Sequence, residues 1–198
     1  MNKRMRALVV VGVVSVLSIV GGAAAFAQSV EITDEEAAEA LLGALTGPEG
    51  EYAAYASYAA VLETYGDVEP YATIAAAELR HIEALQRLLD KYSIDYPEIN
   101  SYLGTIEAPA DLQSAAEAWD EGEVANVALY EELLAAVAEY SDITQVFLNL
   151  QAASQDAHLP AFEAAAESGG VLTSVQDGTA YQGGASNGQG NRGNGPCL

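Results

Sequence analysis

The chain has 198 residues, 51% of them hydrophobic, with 29 Asp+Glu against 7 Lys+Arg and a formal net charge of −22. That length suits one domain of ordinary size, and the charge excludes phosphate-neutralising nucleic-acid binding and an anionic membrane surface as the main partner. One cysteine and two histidines exclude an internal disulfide framework and a thiolate-rich zinc or iron–sulfur site, so any metal would depend on carboxylates.

The two ends read differently from the middle. Lys3, Arg4 and Arg6 precede the uncharged run 7–20, and small residues lead into Ala25-Phe26-Ala27. This is the three-part pattern of a signal peptide, residues 1–27, with cleavage expected after Ala27. The protein is therefore expected to be secreted, periplasmic or on the cell surface, with no membrane insertion after cleavage. Removal of the leader leaves 4 basic residues against 29 acidic ones. From Gly169 to Leu198 the composition turns to Gly, Ser, Asn and Gln, ending in Cys197. Such a stretch cannot bury enough apolar surface to order itself, so a disordered tail is expected there.

Between them, residues 28–168 form one domain that reads as all-α. Apolar residues recur at steps of three and four, without strand-like alternation. Thr33-x-x-Glu36 and Thr46-x-x-Glu49 resemble capping boxes, with Gly47-Pro48 between the segments they open. This predicts a short helix near 34–45, then helix A near 48–65. Helix B is expected over about 70–91 after the Gly66-Asp67 break. Helix C is expected over about 113–140, with Ser114-x-x-Glu117 as its start signal. Helix D is expected from Ser141 or Asp142 to the Gly169-Gly170 stop. Pro160 should kink helix D, because it cannot donate a backbone bond to Asp156.

Helices A and B, and likewise C and D, are joined by a few residues, which makes antiparallel neighbours. About 20 residues separate B from C, enough to cross the length of a 20-residue helix of about 30 Å. One long crossover between two short links is the connectivity of a ferritin-like four-helix bundle.

The apolar stripes of these helices carry polar residues in their middles. Helix A has Glu51, Tyr55, Tyr58 and Leu62; helix B has Ile74, Glu78, His81 and Leu85. Helix C has Val127, Tyr130, Glu131 and Leu134; helix D has Leu150, Ser154, His158 and Ala161. A carboxylate on a core face is costly unless it is paired or metal-bound, and several converging on one level point to a cation between them. A carboxylate-bridged di-iron or di-manganese centre takes one Glu from each of two helices and an E-x-x-H from each of the other two. Glu51 and Glu131 fit the single carboxylates, with Glu49 and Glu132 as their rivals, and Glu78/His81 fits one pair. On helix D the pair reads Gln155…His158, which leaves His158 as a ligand and Gln155 as a weak one. The tyrosines and Trp119 read as core packing.

From about Leu41 to Glu167 the sequence resembles an exported ferritin-like family of unknown function, distantly akin to rubrerythrin and ferritin. The resemblance rests on Glu51 with Tyr58 and Tyr65-Gly66, on Ala77-Glu78-x-x-His81 running into Leu88-Leu89-Asp90-Lys91-Tyr92, and on Leu112-Gln113. It extends through Tyr130-Glu131-Glu132 and His158-Leu159-x-Ala161-Phe162. Where that family carries an acidic run before its first Glu, this sequence has Gly47-Pro48-Glu49-Gly50. The resemblance implies a bundle with a non-haem iron or manganese site, and relatives that oxidise Fe(II) with oxygen or peroxide. Hard ligands of this kind suit Fe and Mn, and no organic cofactor is expected. Metal ions are the expected partners, and self-association into a homo-oligomer stays open. The alternative reading is a non-catalytic, acidic helical interaction module of the cell surface with a degenerate metal site.

Overall fold

The computed structural model describes Ile32 and residues 34–173, and all its regular elements are helical. The expected signal peptide and the tail beyond Thr173 lie outside the described residues. Among the described residues no helix is long and apolar enough to cross a membrane.

Helix α1 spans Glu35–Thr46, with Asp34 as its N-cap accepting from the Glu36 amide at 3.0 Å. Thr46 does not open the next helix: its hydroxyl donates back to the Leu42 carbonyl at 2.8 Å and closes α1. Helix α2 therefore starts at Glu51 and ends at Tyr65, with Gly50 as its N-cap. A Cβ on Gly50 would lie 2.6 Å from the Ala44 carbonyl oxygen, so the close approach of α1 and α2 requires glycine there. Glu49 is left exposed.

Helix α3 spans Tyr71–Tyr92. The crossover, residues 93–111, is fastened across α2 by side chains. Tyr52 donates its hydroxyl to the Pro97 carbonyl at 2.8 Å, Asn100 donates to the Tyr52 carbonyl at 2.7 Å, and Tyr65 bonds the Pro109 carbonyl. Helix α4, Leu112–Ala136, is capped by Asp111, which accepts from the Ser114 amide at 2.7 Å. The fourth bundle helix comprises three pieces: α5 (Ser141–Ala153), a π-helical turn (Ser154–His158) and α6 (Leu159–Glu167). The π turn has a local cause. Pro160 cannot bond to Asp156, and the Leu159 amide reaches five residues back to the Ser154 carbonyl.

Helices α2 and α3 pair, α4 pairs with α5 and α6, and the long crossover joins the two pairs: this is a ferritin-like four-helix bundle, with α1 packed against it. Its core is two apolar clusters. One holds Leu41, Leu45, Leu85, Leu89, Tyr130 and Phe147; the other holds Tyr58, Val61, Tyr71, Ile74 and Phe162. Along α3 the change from one to the other falls between Ala75 and Ile82, and along the fourth helix between Leu150 and Ala161. The side chains in those gaps are Glu78, His81, Ser154 and His158. A polar layer thus cuts the bundle core in two. At the far end Gly170, with φ +94°, is buried against Leu112, and the Leu172 amide bonds the Glu69 carbonyl at 2.8 Å.

Candidate metal centre

Five side chains converge in the polar layer: Glu51 from α2, Glu78 and His81 from α3, Glu123 from α4 and His158 from the π turn. Glu51, Glu78, Glu123 and His158 are at most 3% exposed. They form two clusters that share one residue. Glu51, Glu78 and His81 make the first, and Glu78, Glu123 and His158 the second, each able to offer ligand atoms within 4.8 Å of one another. Glu78 is divided between them. Its Oε2 lies 3.0 Å from His81 Nδ1, and its Oε1 lies 3.2 Å from His158 Nδ1. His81 Nδ1 is also 3.2 Å from Glu51 Oε2, and His158 Nδ1 is 3.3 Å from Glu123 Oε1. The imidazoles stack at a 5.6 Å centroid separation and 22°.

The terminal carboxylates are held by tyrosines in a reciprocal arrangement. Tyr130 of α4 donates its hydroxyl to Glu51 of α2, and Tyr58 of α2 donates to Glu123 of α4. Beside them, Ser154 donates to Asn126 Oδ1 at 2.9 Å, and Asn126 donates to the Glu49 carbonyl at 2.9 Å.

Of the residues expected from sequence, Glu51, Glu78, His81 and His158 are brought together. Glu131 is not: it is exposed, as is Glu132, and the inward carboxylate of α4 is Glu123, 1% exposed. The buried face of α4 runs through Ala116, Glu123, Asn126 and Tyr130, so Glu131, one residue beyond Tyr130, sits about 100° round the helix. Gln155 is exposed as well. An α-helix would put it on the His158 face, but the π turn widens the spacing so that Ser154 and His158 are the inward pair. A signal for Glu123 was in the sequence. Glu-x₆-Tyr occurs on α2 as Glu51/Tyr58 and on α4 as Glu123/Tyr130, and the two copies face each other.

The electrostatics of the layer are those of carboxylates sharing too little positive charge. Burial, with the nearby Glu78 charge, raises the Glu51 carboxyl to about 8. Glu78 is held well below the usual range: burial opposes its ionisation but is overcome by hydrogen bonds from Glu51 and both histidines and by the His81 charge. Desolvation disfavours both imidazolium ions too, yet the facing carboxylates raise His81 to about 11 and His158 to about 10. Burial and the carboxylate charges push the Tyr58 and Tyr130 phenols well above their ordinary value, so both remain donors.

The donor set fits metal. His158 Nδ1 is fully enclosed between Glu78 Oε1 at 3.2 Å and Glu123 Oε1 at 3.3 Å without a well-aligned hydrogen bond to either, so a cation bound there would take the place of the proton these three groups share. Three carboxylates and two imidazoles are hard-to-borderline ligands of the kind that Mn and Fe take. Glu78 would bridge two ions; Glu51 with His81, and Glu123 with His158, would terminate one each.

No family profile matches this sequence, and no curated protein matches it. Two crystal structures of a manganese catalase from Anabaena, KatB, are similar in fold. At 18% identity one has a TM-score of 0.56 over 91% of this chain and 96% of the catalase, and at 19% identity the other has 0.55 over 91% and 94%. The ferritin-like fold is common to all three.

Proposed function

We propose that this protein is a dinuclear manganese or iron protein of the ferritin-like type that acts on hydrogen peroxide. The observation that carries the reading is Glu78, whose two carboxylate oxygens face two separate histidine–glutamate pairs. The manganese catalases that share its fold support peroxide as the substrate and manganese as the metal.

The roles of the side chains follow from their positions. Glu78 would be shared by the two ions, with Glu51 and His81 holding one and Glu123 and His158 the other. Three carboxylates against two divalent ions would leave the centre with one positive charge in excess, which would favour an additional anionic ligand. Tyr130 and Tyr58 fix the terminal carboxylates by charge-assisted hydrogen bonds, so that Glu51 and Glu123 cannot swing to fill the positions a substrate would use. With Glu51, Glu78, Glu123 and His158 at most 3% exposed, the layer has no room for a bulky molecule, which favours a substrate as small as peroxide. A bound pair of redox metals would supply the two-electron chemistry that peroxide disproportionation needs.

Export belongs to the same proposal: the basic start, apolar run and Ala25-Phe26-Ala27 site suit action in the cell envelope.

The test is metal content per chain after Mn(II) or Fe(II) loading and desalting, followed by oxygen release from hydrogen peroxide, for wild type and Glu78→Gln. Two ions per chain and oxygen release, both lost in Glu78→Gln, are expected. A well-folded wild type that retains no metal would instead make the layer a self-neutralising salt-bridge network, and the chain an acidic binding module.

A further inference from the structure

The Glu123 half of the polar layer has an aromatic connection to the surface that the Glu51 half lacks. Tyr58, whose hydroxyl bonds Glu123, meets the Trp119 ring edge-on at a centroid distance of 6.1 Å. Trp119 lies one turn before Glu123 on α4 and is partly exposed. Tyr130, the counterpart on Glu51, is fully buried and packs against the Phe147 ring at 5.3 Å, which is far harder to oxidise. The other neighbour of Tyr58, Phe162, is fully buried too. Two features suit Trp119 to hold an electron vacancy. Its indole N–H is enclosed without an acceptor, so loss of an electron leaves the proton on the ring. Its helix carries Glu117, Asp120, Glu121 and Glu123 and no basic residue, so a positive charge forms in a negative field.

The geometry points to Tyr58 and Trp119 as a one-electron path from the metal centre to the surface, giving the protein a peroxidase activity toward small reductants that dock at Trp119. The inference rests on the metal-centre reading above. Hydrogen peroxide is the oxidant and acts at the centre. Tyr58 gives up an electron to the oxidised centre and its phenolic proton to Glu123. Trp119 passes an electron to the Tyr58 radical while the proton returns from Glu123, which restores Tyr58 and leaves Trp119 as a radical cation. A reductant at the surface then returns one electron to Trp119. Two such passages, with two protons from solution, convert one hydrogen peroxide to two waters and oxidise two reductant molecules by one electron each. With a formal net charge of −22, the chain favours neutral or cationic aromatic reductants over anionic ones.

The experiment uses the full chain loaded with manganese and treated with hydrogen peroxide, first without a reductant and then with hydroquinone. Without a reductant, peptide mass spectrometry should find Trp119 hydroxylated in wild type. In Tyr58→Phe that modification, counted per bound manganese, should fall to the level of metal-free protein. With hydroquinone present, Trp119 should be protected, and Trp119→Phe should lose hydroquinone oxidation while its manganese content stays at the wild-type value. Equal modification of Trp119 in wild type, Tyr58→Phe and metal-free protein overturns the path, and so does undiminished hydroquinone oxidation in Trp119→Phe. A wild-type chain that retains neither manganese nor iron on loading overturns the metal centre and the path together, whereas retained metal with an unmodified Trp119 overturns the path alone.

Discussion

Tyr130 hands its phenolic hydrogen to Glu51 across the bundle, and the contact is matched by Tyr58 on Glu123. Both tyrosines lie seven residues after a buried glutamate, so the two antiparallel helices exchange the same pair of groups about the Glu78 bridge. A carboxylate this deeply buried depends on its donors. Tyr130→Phe keeps the ring that packs on Phe147 but strips Glu51 of its hydroxyl partner. The metal-free protein should lose about 1–3 kcal/mol, the cost of a buried acceptor left short of a bond. Thermal unfolding of Tyr130→Phe, Tyr58→Phe and the double variant would measure it. Near-additivity of the two is expected, because each hydroxyl serves its own carboxylate.

Glu123 and Glu131 make a decisive pair because they sit on the same helix with opposite surroundings. Glu123→Gln removes a terminal ligand, one of the three residues of its cluster, and should abolish binding of the ion held with His158. Glu131→Gln alters only an exposed side chain and should change stability by no more than about 0.5 kcal/mol, with metal content intact. Metal analysis of the two purified variants checks both. Loss of metal in Glu131→Gln would contradict the arrangement described above.

The fold was legible because its strongest signals are repetitive. The three- and four-residue steps of α3 from Tyr71 to Leu88, the short links and the long crossover suffice for the ferritin-like bundle. Glu51, Glu78, His81 and His158 were legible too, since each sits in the middle of an apolar stripe. The residues placed differently from the expectation, Glu131 and Gln155, share one physical origin, a helix phase set by local context. On α4, alanines occupy much of the buried face and carry little pattern, so the apolar stripe alone favours Glu131 over the inward-facing Glu123. On the fourth helix the Pro160 kink was expected, but its consequence was not. The π turn changes the spacing in front of His158, which turns Gln155 outward and Ser154 inward. The start of α2 moved from Pro48 to Glu51 because Thr46 bonds back to Leu42, a choice between two equally common hydroxyl roles.

Gly170 offers a test of how the end of α6 is secured. Its φ of +94° is strained for any other residue, and a Cβ there would lie 2.1 Å from the backbone carbon of Leu112. Gly170→Ala should cost at least ~2 kcal/mol by combining backbone strain with overpacking. The loss should also free Tyr71, whose hydroxyl donates to the carbonyls of Gly170 and Leu112 at 3.1 and 3.0 Å. Denaturant unfolding of Gly170→Ala beside Gly104→Ala separates strain from crowding. Gly104 has a φ of +74° with nothing within 4 Å of the added carbon, so its variant should show the strain alone.

The pH dependence of the polar layer should reverse sign when metal is added. In the metal-free protein, Glu51 keeps its proton up to about 8 in the fold but has an ordinary value of 4.5, so the native state binds more protons over that interval and stability falls as pH rises through it. His81 and His158, raised from 6.5 to about 11 and about 10, act in the same direction: the stability they contribute is complete below 6.5 and is lost on approach to 10–11. Glu78, depressed by its neighbours, contributes stability above its ordinary 4.5 that disappears only under strong acid. The metal-free protein should therefore melt at progressively lower temperature between pH 5 and pH 9. Metal needs these same groups deprotonated, so each ion bound displaces protons from Glu51 and the histidines, and affinity rises with pH. Melting temperature measured across that range with and without Mn(II) should diverge, with the stabilisation by metal growing steadily from acid to alkali. A gap that stays constant across the range would mean that the ion binds outside the Glu51, Glu78, His81, Glu123 and His158 layer.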